Sequence, residues 1–429
     1  MRQYKDSGIE WIGKIPETWE VSQLSILFKE HSCRNIGMQD TNLLSLSYGN
    51  IVRKNINDNG GLLPESFEGY NVINKDDIVF RLTDLQNDKR SLRTGLVREK
   101  GIITSAYVTV RKRDTKNSSS YFHYLFHSCD ECKIFYGLGA GVRQGMNYQD
   151  LKKLGIVVPP YSEQQRIADY LDEKCGEIDS LIALQEQMIE KLKAYKQSFI
   201  TEAVTKGLNP NVKLVPSGID WIGEIPEGWK VIKTKYIADK IFKGNGITKD
   251  EVFVDGDTPC VRYGEIYTKY TQAFKTCFSA TNIDIQKSPQ LFHYGDILCA
   301  GTGELVEEIG KSIVYLGSQE CLAGGDIIVI QHHQNPSFLN YALNSNYAQT
   351  QKSRGKAKLK VVHISAFEIG STFILLPPLT EQQTIASYLD EKCADVDRLI
   401  ALKQQKIDSL KKYKKSVIYE VVTGKTIIE

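Results

Sequence analysis

The sequence predicts an α+β protein: two globular mixed α/β domains joined by two long antiparallel helices with pseudo-twofold symmetry. Three observations lead there. The first is the run Ser162 to Lys206, with apolar or small residues at steps of three and four: Ile167, Leu171, Cys175, Ile178, Ile182, Ile189, Leu192, Phe199 and Ala203. At ~1.5 Å per residue it is a rod of roughly 65 Å, longer than a single globular domain needs. The second is its repeat. Pro159-Pro160 to Thr205 recurs as Pro377-Pro378 to Thr423, with Glu-Gln-Gln, Tyr-Leu-Asp-Glu-Lys-Cys and Leu-Ile-Ala-Leu in place. The third is a shorter repeat. Ser7 to Trp19, reading Ser-Gly-Ile-Glu-Trp-Ile-Gly-Lys-Ile-Pro-Glu-Thr-Trp, returns with few changes from Ser217 to Trp229. The repeats set the boundaries: a first domain at 1–158, a first long helix at 159–208, a second domain at 209–376 and a second long helix at 377–429.

Each element has its own signal. The tryptophans of the opening motif, with Ile-Pro between them, read as an apolar anchor. Residues 22–158 hold short β-prone runs at Leu43–Leu46, Asp77–Phe80, Gly95–Val97 and Ala106–Val110. A helical stretch, Tyr121 to Phe135, leads through a glycine-rich loop, Gly137 to Gly145, to the run Leu154–Val158. Ser162 with Gln165 and Thr380 with Gln383 have capping-box spacing, and Gly207 is a natural stop. Leu208 to Pro216 reads as a linker. The second half repeats the layout. Arg262-Tyr263-Gly264-Glu265 echoes Ser47-Tyr48-Gly49-Asn50, Gly295-Asp296-Ile297-Leu298 echoes Asp76-Asp77-Ile78-Val79, and Pro336 to Gln351 echoes the Tyr121 helix. Domain termini usually lie close together, so the second helix should start where the first ends and run back along it. The first tryptophan motif should then lie near the end of the second helix.

Composition narrows the function. Net charge is +2, too small to mark the whole chain as a polyelectrolyte. Residues 22–158 nevertheless carry about +5, against about +1 for residues 231–376. No apolar run is long enough to span a bilayer and no secretory signal is evident, so no membrane partner is expected. Nine cysteines without framework spacing fit a reducing, cytoplasmic setting. Cys175 and Cys393 hold equivalent positions and read as small buried hydrophobes.

Several motifs tempt a catalytic reading without supporting one. Val158-Pro159-Pro160-Tyr161 resembles the Asn/Asp-Pro-Pro-Tyr motif of amino-group DNA methyltransferases, but that motif needs an amide or carboxylate where Val158 stands. Its duplicate, Leu376-Pro377-Pro378-Leu379, has lost the aromatic as well. The loop Gly137-Leu138-Gly139-Ala140-Gly141 follows a helix rather than a strand, unlike a dinucleotide-binding loop. His123, His127, Cys129 and Cys132 have zinc-like spacing, yet the second half has Asn340, Asn344, Asn346 and Gln349 there. No catalytic or metal-binding residue is assigned. The basic clusters point instead to DNA. Lys352, Arg354, Lys356, Lys358 and Lys360 alternate at period two, which an extended segment would project together onto phosphates. Arg143, Gln144 and Asn147 have side chains that read guanine and adenine edges. Tyr48, Asn50, Arg81, Lys89, Arg90 and Arg93 complete the set expected to face DNA in the first domain, and Arg262, Tyr263 and Thr302 in the second.

The two Pro-Pro-x-[Ser/Thr]-Glu-Gln-Gln helices, the two Trp-Ile-Gly-x-Ile-Pro-Glu-x-Trp starts and the dissimilar domains resemble the DNA-specificity (S) subunit of type I restriction–modification systems, over essentially the whole chain. The resemblance implies two target recognition domains, each reading half of a split, asymmetric site in double-stranded DNA. It implies two modification (methyltransferase) subunits that bring S-adenosylmethionine, and restriction (translocase/nuclease) subunits that bring ATP and Mg²⁺. The chain itself would then need no cofactor and be no enzyme. Leu181, Leu184, Met188, Tyr195, Leu399, Leu402 and Tyr413 broaden the apolar stripe beyond what one helix pair requires, and are expected to dock those partners. The competing reading is a two-headed coiled-coil protein-interaction scaffold without DNA specificity.

Overall fold

The structure, a computed structural model, describes residues 3–56, 64, 66–83, 85, 92–138, 145–219, 221–253, 255–284, 290–356 and 361–428. Two helices stand out, Tyr161–Lys206 and Leu379–Val422, inside the segments 159–208 and 377–429 read as long helices. The chain divides into two compact units. One joins Met1–Glu186 to Gln404–Glu429, and the other is Gln187–Lys403. Each unit therefore holds one head, the start of the long helix that follows it and the end of the other long helix.

In the first unit an antiparallel sheet runs in the order Phe28–Glu30, Val108–Lys112, Ile78–Phe80, Thr94–Leu96. Helix Ser119–Glu131 lays Phe122, Leu125, Phe126 and Cys129 onto it, in one core with Phe28, Phe80, Leu96 and Val110. The expected single helix to Phe135 breaks at Lys133, whose φ is +61°, and resumes as Ile134–Leu138. Ile167, Leu171 and Cys175 of the first long helix share that core with Val417, Ile418, Val421 and Val422 of the second, and with Ile12, Ile15 and Trp19. The Tyr121 hydroxyl donates to the Val422 carbonyl at 3.0 Å, Tyr419 donates to the Trp11 carbonyl at 2.8 Å, and Lys425 to that of Ile12 at 2.6 Å. The first tryptophan motif thus seats the end of the second helix, as the repeat predicts. Gly424, at φ +72°, closes that end. A side chain there would strike Pro16 Cδ, 2.4 Å from its Cβ position.

The second unit has two five-stranded sheets. One runs Ala238–Lys243, Ile327–His332, Ile297–Ala300, Ser312–Tyr315, Ala273–Phe274; the other runs Val252–Phe253, Ser279–Thr281, Thr258–Val261, Cys321–Ala323, Leu291–Phe292. Ile200, Ala203 and Val204 pack with Ile385, Ala386 and Leu389 and with Trp229. The Trp229 indole N–H donates to Glu381 at 3.1 Å. Helix-end Gly207 lies against the same two side chains.

The capping boxes are not formed as expected. Both long helices begin one residue earlier, so Ser162 and Thr380 lie inside them. The Pro160 carbonyl accepts from Glu163 and Gln164, and that of Pro378 from Glu381 and Gln382. The middle glutamine of Glu-Gln-Gln does the joining instead. Gln164 donates to the Pro159 carbonyl at 2.9 Å and accepts from the Ser118 N–H at 2.9 Å, with Ser118 the N-cap of the head's helix. Gln382 donates to the Pro377 carbonyl at 2.9 Å and accepts at 3.0 Å from Asn335, the N-cap of Pro336–Asn344. Both glutamines are 1% exposed, so each buried amide satisfies groups that would otherwise be orphaned.

Candidate nucleic-acid interface

In the first head, Ser47 pairs with Asn50 across a two-residue hairpin turn at Tyr48-Gly49, with φ of +44° and +84°. These signs are those of a type I′ turn, which suits Gly49 and strains Tyr48. Tyr48 stands 73% exposed at the tip and Asn50 is exposed beside it. Both border a cleft of about 570 Å³ lined also by Arg98, Tyr124, Glu131 and Lys414. Lys414 pairs with Asp179 at 2.7 Å, and Tyr124 donates to Asp172 at 2.7 Å. His123 and His127 lie at its base, ring centres 4.1 Å apart. Burial is the main cause that holds both imidazoles below their ordinary pKa, with each other's charge adding to it for His123. Among the described residues no group of three His, Cys, Asp or Glu is placed to hold a metal ion.

Two assigned residues of this head serve the fold. Arg93 is fully buried; its guanidinium donates to the Thr83 carbonyl at 2.7 Å and its backbone N–H to Asp130 at 2.6 Å. It cannot face DNA. Asn147 caps the short helix Tyr148–Leu151, accepting from Gln149 and Asp150. Arg81 is half-buried on the strand edge, its N–H donating to the Arg93 carbonyl. Arg111 is bound bidentately to Asp77 at 2.7 Å. Lys89, Arg90, Arg143 and Gln144 lie outside the described residues.

In the second head, Arg262 and Tyr263 line an open cleft of about 590 Å³. Sequence reasoning missed its other members, Gly246, Lys269, Phe278, Gly324 and Gly325. Only the pairing of distant strands gathers them. The echo with Tyr48 fails in structure. Tyr263 opens a helix, Tyr263–Thr268, at the end of a strand rather than turning a hairpin. Thr302 is 6% exposed and hydrogen-bonded to His363 Nδ1 at 3.1 Å, within a strand pair.

The expected row of lysines is not a row. Lys352 lies in the helix Asn346–Ser353, 3% exposed, donating to the Gly310 carbonyl at 2.8 Å, and burial pushes its pKa down to about 8. Its tertiary partner, unreadable locally, overrode the alternation. Lys356 pairs with Glu368 at 2.7 Å and donates to the His363 carbonyl. Arg354 is exposed. Lys358 and Lys360 fall outside the described residues. On the long helices Leu181, Leu184, Met188, Tyr195, Leu399, Leu402 and Tyr413 are all between 39% and 60% exposed.

Comparison with known proteins follows this division. The model of the type I restriction modification DNA specificity domain matches residues 16–194 and again 226–412. The type I restriction enzyme MjaVIII specificity subunit of Methanocaldococcus jannaschii is 25% identical over 443 residues, covering 99% of this chain and 97% of its own. The putative MjaX specificity subunit of the same organism is 25% identical over 430 residues, 96% of this chain and 95% of its own. A chain from a solved structure concerned with assembly and conformational transition of the type I R-M system shares the fold. Its TM-score is 0.70 at 16% identity, covering 96% of this chain and 99% of that one. With both of its halves matched by the family's domain, the chain belongs to the type I restriction–modification DNA specificity (S) subunits.

Proposed function

We propose that the chain binds double-stranded DNA at a bipartite, asymmetric site, one half-site per head, and directs modification and restriction subunits to it. One observation carries this reading: two framework repeats share the same joint, at Gln164 and Gln382, while the heads they hold differ in sheet and cleft. A repeated mount with dissimilar heads suits two dissimilar half-sites. The exposed apolar residues of the long helices fit docking by helices of two modification subunits. Methyl transfer from S-adenosylmethionine and ATP- and Mg²⁺-dependent cleavage then belong to the partners. Val158 and Leu376 stand where a methyltransferase motif would need an amide or carboxylate.

The test is a gel shift and methylome sequencing with the cognate modification subunit. The expected result is one split motif, methylated only when both proteins are present. Methyl transfer by this chain alone, or binding indifferent to sequence, would overturn the reading. Leu184→Asp and Leu402→Asp, each on an exposed position, should leave the fold intact and abolish co-purification with the modification subunit. Retained co-purification would remove the helix face from the proposal.

A further inference from the structure

Arg262 is held more firmly than an arginine at a cleft wall needs to be. It directly follows Thr258–Val261, the middle strand of its sheet, which pairs with Ser279–Thr281 on one side and Cys321–Ala323 on the other. The Gly324 N–H donates to the Val261 carbonyl at 2.8 Å. A Cβ on Gly324 would stand 2.9 Å from that oxygen and 3.3 Å from Arg262 Cα, so the neighbouring backbone fits there only as glycine. The side chain is fixed as well. Arg262 Nε donates to Glu265 Oε1 at 3.3 Å, and its backbone N–H to Oε2 at 3.2 Å. Ser279 donates to the same carboxylate, whose side chain is 7% exposed while that of Arg262 is 33% exposed.

This arrangement has a chemical meaning. Engaging Nε from behind leaves the two Nη groups as a planar fork, which matches two acceptors side by side. Phosphate and the guanine O6/N7 edge both offer such a pair. The buried Glu265 largely cancels the charge of Arg262, which weakens any general attraction for phosphate but preserves the fork's direction. Gly246, Gly264, Gly324 and Gly325 make up part of the cleft lining, and a Cβ on Gly325 would lie only 3.0 Å from Gly246 Cα. Cationic charge comes separately from Lys269, whose ammonium sits 4.1 Å from the centre of the Phe278 ring.

We propose that Arg262 reads a guanine edge in one half-site, with Glu265 as its positioning residue. This rests on the DNA-recognition reading above. The test uses the full chain assembled with its modification subunit, selecting binding sites from randomised DNA at several salt concentrations. Wild type, Arg262→Ala, Arg262→Lys and Glu265→Gln are compared, with thermal unfolding as the check on folding. Arg262→Ala should relax one G·C position by roughly 10- to 100-fold and leave the other half-site unchanged. Arg262→Lys, which keeps the charge but not the fork, should relax the same position with an unchanged salt slope. Glu265→Gln should relax it too, with the arginine still present. Equal loss on all sequences with a salt slope lower by about one would make Arg262 a phosphate contact and overturn the proposal. So would a retained guanine preference in Arg262→Ala. A wild-type assembly without sequence selectivity would instead overturn the recognition reading itself.

Discussion

The two heads share one turn and differ at another. Before strand Ile78–Phe80, the Asn74 N–H donates to Asp77 at 2.8 Å, and before Ile297–Ala300 the His293 N–H donates to Asp296 at 2.8 Å. In both, the preceding residue has positive φ, +72° at Asp76 and +90° at Gly295. Tyr48-Gly49 and Tyr263-Gly264 look equally alike in sequence, yet one turns a hairpin and the other opens a helix. The matching turns lead into strands that share a core with the helices Ser119–Glu131 and Pro336–Asn344. The mismatched ones lie at the clefts. Resemblance between the halves is therefore structural where a contact of the mount depends on it, and accidental where the surface is free to differ.

The largest expected effect tests that mount. Gln164→Leu and Gln382→Leu each orphan a carbonyl and an N-cap N–H, costing about 1–3 kcal/mol for each group. Hydrogen exchange at Ser118 and Asn335 should quicken in the respective variant only. Equal losses in the two units would support an equivalent mount, and a loss in one alone would break it.

Lys352 comes next. Lys352→Ala should cost about 2–4 kcal/mol through the cavity beneath Gly310, whereas Lys352→Met should stay within about 1–2 kcal/mol of wild type. Neither should change the salt slope of DNA binding. The pH dependence has a definite sign. Burial lowers the folded pKa from 10.5 to about 8, so the unfolded chain binds this proton more tightly. Stability contributed by this site should rise from pH 8 to 10.5, and Lys352→Met should remove that rise in denaturant melts.

These two sites also mark what was legible. Long periodic helices and their seats announce themselves, because spacing and repetition are properties of the chain alone. Gln164 was visible as a repeated residue but not as the joint, since its partner Ser118 is 46 positions away. Arg93 and Lys352 look like any exposed base until the carbonyls of Thr83 and Gly310 are in place. Glu265 reads as a surface acid until Ser279 closes over it.

The smallest effect sharpens the contrast at the clefts. Tyr48→Asn suits a type I′ turn better and should stabilise the first unit by at most about 1 kcal/mol. If Tyr48 meets DNA, affinity for one half-site should fall while thermal stability rises. Unchanged affinity would make it a turn residue alone.

The bond from Tyr121 to Val422 joins positions 301 residues apart. A ribosome adding about 5–20 residues per second needs roughly 15–60 s to cover that distance. During that interval the first head exists without Val417, Ile418, Val421 and Val422, members of its own core, each contributing about 1.5–3 kcal/mol by burial. The second unit, by contrast, draws all its parts from one continuous stretch, Gln187–Lys403. The half made first is thus the half finished last, and its unfilled groove stays open to chaperones and misfolding for most of the time the chain takes to be made.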